Sequence, residues 1–86
     1  MVFKKVLVKF GASWCNPCNQ AQKFLDGQHP NGLHTSLDIT ENEELAKSLG
    51  VRSLPTFCLY DSEGVLIDKF VGFDKERINK AINTIL

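Results

Sequence analysis

The sequence has no surplus of charge of either sign, because ten Lys and Arg balance ten Asp and Glu. A balanced surface sets up no field that gathers nucleic acid or an anionic membrane, so neither is expected as a partner. Long hydrophobic runs are missing too. The apolar stretch near Met1 spans only a few residues and no small-residue cleavage site follows it, which argues against a signal peptide and against a membrane span. A soluble, cytoplasmic protein is expected. Three prolines and six glycines leave no room for a linker, repeat or low-complexity segment. Cysteine is scarce: there are three, an odd number, and two of them stand three positions apart. That excludes a disulfide scaffold and leaves a C-x-x-C pair, which in cytosolic proteins is catalytic or metal-binding.

What is present is an ordinary globular composition, 43% apolar and 23% charged over 86 residues, enough for a single domain over residues 1–86, with a monomer as the default. Val2 to Phe10 is rich in β-branched and aromatic residues, with Val6, Leu7 and Val8 continuous. It reads as a central strand buried on both faces. A short loop follows, and then Cys18, Ala21, Phe24 and Leu25 recur at helical spacing, with Pro17 near the start and Gly27 past the end. Pro30 and an Asn-Gly pair mark a turn, after which Leu33 to Ile39 reads as the second strand. Thr40 and Glu43 match a capping box for a second helix with Leu45, Ala46 and Leu49 on its apolar stripe, stopped by Gly50. Thr56 to Tyr60 is a strand, Asp61 to Gly64 a hairpin turn, and Val65 to Val71 the returning strand. Asp74 caps a last helix whose Ile78, Ala81, Ile82, Ile85 and Leu86 form one stripe. The predicted order is β-α-β-α-β-β-α. Strands alternating with helices imply parallel pairing, and the final hairpin adds an antiparallel edge, giving an α/β fold with a mixed four-stranded sheet and helices on both faces.

Chemistry in such sheets gathers at the carboxyl ends of strands, and the segment Trp14-Cys15-Asn16-Pro17-Cys18 lies at one. Cys15 falls where the first strand gives way to a helix, so the free N–H groups and partial positive charge of the helix start favour its thiolate. Cys18 lies one turn further on the same side, within reach to resolve a mixed disulfide by attacking the sulfur of Cys15. Pro17 restricts the loop between them and removes a backbone donor that would need a partner there. A structural zinc half-site is the competing reading. It needs four ligands, and Cys58, His29 and His34, the remaining sulfur and imidazole groups, stand in no second C-x-x-C or H-x-x-x-H spacing.

The Trp-Cys-Asn-Pro-Cys segment, together with Leu54-Pro55-Thr56 downstream, resembles the W-C-G-P-C site and the hydrophobic-Pro-Thr segment of the thioredoxin family, and the similarity covers essentially the whole chain. The resemblance implies a thioredoxin fold and a thiol-disulfide oxidoreductase that reduces protein disulfides. It implies Cys15 as the attacking cysteine, Cys18 as the resolving one and Pro55 as a cis-proline facing the disulfide. Leu54, Thr56, Gly72 and Phe73 would then contribute to the substrate groove. The electron carrier is the Cys15–Cys18 pair itself, with no other cofactor. Ribonucleotide reductase is a client by family analogy, and an NADPH-dependent thioredoxin reductase or glutathione is the donor. The short chain is similar in size to glutaredoxins and to the thioredoxin-like proteins of some phages, without the extra N-terminal strand and helix of longer thioredoxins.

Two departures bear on the chemistry. Asn16 replaces the family's usual Gly and so alters the thiolate environment. Lys9 occupies the position, six residues before the first cysteine, where thioredoxins place a buried acid that accepts the proton of the resolving thiol. Lys9 is either a surface lysine whose stem packs on the sheet edge or a partly buried cation that favours thiolates. Trp14 shields the thiol or meets partners, which makes its fluorescence a redox reporter. Cys58, amid Phe57, Leu59 and Tyr60, reads as a small buried hydrophobe, and His29 and His34 as exposed histidines without a role. The functional alternatives are a glutaredoxin-like, glutathione-dependent reductase, suggested by Gly72-Phe73-Asp74, a non-catalytic binding module on the same fold, and a protein carrying an iron-sulfur cluster between two copies.

Overall fold

The computed structural model describes residues 5–29 and 33–85. Its elements run β1 (Val6–Gly11), α1 (Asn16–Gln28), β2 (His34–Asp38), α2 (Glu43–Ser48), β3 (Thr56–Tyr60), β4 (Leu66–Val71) and α3 (Lys75–Ile85). The apolar run of β1 is buried on both faces, with Leu7 and Phe10 almost wholly excluded from solvent, as a central strand requires. The sheet order is β2-β1-β3-β4. Residues 1–4, the turn predicted at Pro30, Asn31 and Gly32, and Leu86 lie outside the described residues.

Pairing departs from the alternation rule in one respect. β1 and β2 are parallel, but β3 runs antiparallel to β1 and β4 antiparallel to β3. A return crossover from β2 would have to run back along about 17 Å of strand. The six residues of α2 cover only about 9 Å, so β3 begins at the end of the sheet where β2 stops.

α1 and α3 cover one face, where Ala21 and Leu25 meet Ile78, Ala81, Ile82 and Ile85 over Leu7, Phe57, Leu59 and Phe70. α2 covers the other, where Ala46 meets Val8, Phe10 and Cys58. Helix α3 starts as its sequence predicts: Asp74 Oδ1 accepts from the backbone N–H of Glu76 (3.0 Å) and Arg77 (3.2 Å). Two other boundaries move. Gly27 lies inside the last turn of α1, and His29 is the C-cap, because Gly27 does not take the positive φ found at Gly50, Gly64 and Gly72 and so breaks nothing. The predicted capping box of α2 does not form either. Thr40 gives both its N–H (2.8 Å) and its hydroxyl (2.6 Å) to Asp38 Oδ1, a nearer and charged acceptor, and Asn42 takes the cap position.

Candidate active site

The loop from Ala12 to Trp14 carries the chain from β1 into α1, and Cys15 is the N-cap of that helix with extended backbone angles. Its Sγ accepts the N–H of Cys18 at 3.3 Å, which satisfies one of the free donors of the first turn. Asn19 Nδ2 donates to the Ser13 carbonyl at 3.1 Å and braces the loop from within the helix. Cys15 and Cys18 are joined as a disulfide with their Cα atoms 5.3 Å apart. Ala12, Ile39 and Leu54 pack around the pair.

The two sulfurs differ in surroundings. Cys15 lines a groove of about 970 Å³ together with Trp14, Asn16 and Pro17 on its own loop. The facing wall is apolar, from Ile39, Val51 and Leu54, and its rim is charged, from Glu43, Glu44, Lys47 and Arg52. Trp14 is 71% exposed beside it. Cys18 does not line that groove and is 1% exposed. The Leu54–Pro55 peptide bond is cis, and the Pro55 carbonyl accepts the Gly72 N–H at 2.9 Å, so the exit of β4 is tied to the segment that faces the disulfide. Thr56 is fully buried and donates its hydroxyl to the Ser53 carbonyl at 2.6 Å. Phe73 is turned away from the groove and packs on the α1–α3 face against Phe24, ring centroids 6.0 Å apart.

Lys9 is not a surface lysine. It is 6% exposed, and its Nζ donates to the Cys18 carbonyl at 3.1 Å. Burial lowers its pKa below the ordinary lysine range, and attraction to Asp26 works the other way. Cys58 is wholly buried, and desolvation raises its thiol pKa despite the nearby Lys69. The histidines stand apart from the cysteines. Both are half-buried, against expectation: His34 Nε2 donates to the His29 carbonyl at 2.9 Å, and His29 Nε2 lies 2.7 Å from Asn79 Oδ1. Among the described residues no three His, Cys, Asp or Glu side chains cluster as metal ligands.

The groove residues that sequence reasoning missed are Ile39, Ala46, Val51 and the four charged side chains Glu43, Glu44, Lys47 and Arg52. A signal existed for one of them: Ile39 directly follows β2, whose parallel register sets Asp38 beside Gly11, and its N–H bonds to the Gly11 carbonyl at 3.0 Å. The charges of α2 carry no such signal, because a polar helix face reads as solvated.

Comparison with known proteins agrees with this geometry. The family model described as thioredoxin matches residues 2–84. Thioredoxin H2-1 of Oryza sativa subsp. japonica is 34% identical over 85 residues, covering 95% of this chain and 61% of the rice protein. Thioredoxin of Pongo abelii is 29% identical over 86 residues, covering 96% of this chain and 81% of that one. The crystal structure of thioredoxin NaTrxh from Nicotiana alata is similar at a TM-score of 0.82 and 27% identity, over 95% of this chain and 73% of its own.

Proposed function

Since the chain belongs to the thioredoxin family, we propose that it runs as a dithiol reductant in which Cys15 attacks and Cys18 resolves. It is a thiol-disulfide oxidoreductase whose substrates are disulfide-containing proteins and whose oxidised form is recharged by a reductase donor. The observation that carries the assignment of roles is the unequal placement of the sulfurs, with Cys15 in the wall of the groove and Cys18 behind it.

The Cys15 thiolate, held by the first turn of α1, attacks one sulfur of a client disulfide and expels the other as a thiolate. Cys18 loses its proton and attacks the Cys15 sulfur. The bond from Cys15 to the client breaks, the second client thiolate leaves and takes a proton from solvent, and the Cys15–Cys18 disulfide forms. Two electrons have passed to the client, and the pair itself has carried them with no further cofactor. An NADPH-dependent thioredoxin reductase is the donor in this reading and ribonucleotide reductase a client, with the cytoplasm as the compartment and a monomer as the working form. Glutathione is the weaker donor candidate, because Phe73 is packed on Phe24 and is not presented beside the thiols. The groove, with apolar walls and a rim of both charge signs, supports a protein segment as substrate.

The reduced protein is expected to precipitate insulin by cutting its disulfides, Cys15→Ser to abolish the activity, and Cys18→Ser to stop at a mixed disulfide seen by mass spectrometry. Full activity in Cys15→Ser would overturn the assignment.

A further inference from the structure

The exchange just described uses the two thiols and gives no part to Lys9, the one buried charged side chain among the described residues. The pleat of β1 puts Lys9 and Gly11 on the same face of the sheet. A Cβ built on Gly11 would stand 3.2 Å from Cys18 Sγ and 3.7 Å from Lys9 Cε, so the resolving sulfur and the lysine tip flank the one space that glycine leaves free. The hydrogen bond from Lys9 Nζ to the Cys18 carbonyl fixes the ammonium on the same residue. Beside them an open cleft of about 280 Å³, lined by Lys9, Gly11, Ser13, Asn19 and Asp38 among apolar neighbours, brings solvent to the lysine side of the pair.

Resting on the dithiol reading above, we propose that Lys9 is the positioning residue of the resolving step: its ammonium, anchored on the Cys18 carbonyl, holds the negative charge of the Cys18 thiolate. The proton of Cys18 passes to solvent water. The thiolate then forms its bond to Cys15 Sγ as the bond from Cys15 to the client breaks. Lys9 neither gains nor loses a proton in the step. A positive charge a few ångströms from a thiol favours the thiolate, most strongly where water is excluded, and Cys18 is the more buried of the two sulfurs. Other charges facing Lys9 are few. α1 presents Asp26, whose attraction opposes the larger lowering of the Lys9 pKa by burial, and β2 presents Asp38 in the cleft wall. β3 pairs Phe57 with Lys9, and the buried residues of α3 are all apolar.

The test is the reaction of reduced protein with dithiobis(nitrobenzoate) in stopped flow, where attack by Cys15 and resolution by Cys18 each release one coloured thiolate in successive phases. Lys9→Met is expected to move the pH midpoint of the second phase up by about one unit, about tenfold slower resolution below the midpoint, with a smaller change in the first. Lys9→Arg is expected to restore the second-phase midpoint. Second-phase profiles that superimpose for the parent and Lys9→Met would sink the proposal while leaving the dithiol reading intact. Absence of the first phase in the parent would instead sink the dithiol reading. A measurement on the unaltered protein guards against variants that do not fold. Coupling is reciprocal, so the Lys9 Cε signal should titrate at higher pH in the reduced protein than in the oxidised one, and equal midpoints overturn the proposal.

Discussion

On one face of the sheet α1 and α3 close over ten buried residues, among the described ones, that form a single cluster from Leu7 to Ile85. On the other face α2 closes over four, and six half-buried side chains from Val6 to Tyr60 fill in around them. The disulfide sits at the end of the sheet where the two faces meet. Cys15 opens onto the groove beside α2, and Cys18 is rooted under α1 next to Lys9. Burial energy scales with apolar area removed from water, so the thick face holds most of the stability. The thin face is left free to shape a surface that must admit a client and release it. A thiol that attacks needs access and a thiol that resolves needs a fixed position, and the asymmetry of the two faces supplies one to each.

Truncation on each face in turn is the sharpest way to break that comparison. Phe57 is fully buried and stacked on Phe70 at 5.0 Å between ring centroids. Phe57→Ala should destabilise the protein by about 3–5 kcal/mol, the range for deleting a buried aromatic. Leu49, half-buried beside α2, already spends part of its surface in water, and Leu49→Ala should cost about 1 kcal/mol. Urea unfolding of the two variants at one pH measures both. Equal losses would mean that the faces share the load and that the contrast in buried residues says nothing about energy.

What the sequence made legible follows the same division. The stripe of α3, its Asp74 cap and the buried run of β1 were readable because each is a local pattern with a single physical cause. The C-x-x-C pair was readable because helix geometry alone sets its two sulfurs on one side. Thr40 misled because its competing acceptor, Asp38, lies two residues back and outbids the helix start. Gly27 misled because a glycine ends a helix only where the chain takes a positive φ. The groove was hidden for a different reason. Val51, Arg52 and the charges of α2 are brought to Cys15 by the packing of α2 and by the loop before Pro55, and no periodicity in the sequence records either. Phe73 shows the reverse, since the family resemblance of Gly72-Phe73-Asp74 suggested a role beside the thiols while its ring is taken up by Phe24 and Lys75.

Lys9 is the polar exception on the thick face, and its ionisation gives a second, pH-dependent test. Burial lowers its pKa in the folded protein, with Asp26 opposing, so between that lowered value and the ordinary 10.5 the unfolded chain binds more protons than the folded one. Stability then rises with pH across that window, and below it the full penalty of burying the ammonium is present. Lys9→Met removes the penalty. The oxidised variant should be more stable than the parent at neutral pH, and the gain should shrink as pH climbs toward 10.5, read as the difference in urea midpoints. The added methionine contributes by packing too, but that part does not vary with pH. A gain that stays constant across the window would show that the lysine is no more costly folded than unfolded.

The smallest expected effect lies at the exposed edge of the thick face. β4 buries only Phe70 of its six residues, and Arg77 reaches back over it from α3 with two possible holds. One is an ion pair to Asp68 at 3.6 Å, with both side chains nearly half exposed. The other is the stacking of its guanidinium 4.6 Å from the Phe70 ring centroid. A solvated ion pair is worth little, because water screens the charges and both side chains lose freedom in making it. A guanidinium over an aromatic face that is already buried keeps its stem packed as well. Asp68→Asn should therefore change stability by less than about 0.5 kcal/mol, whereas Arg77→Ala should cost about 0.5–1 kcal/mol. If Asp68→Asn proves the costlier of the two, the edge is held by charge, and the account of this face as an apolar store fails where it meets solvent.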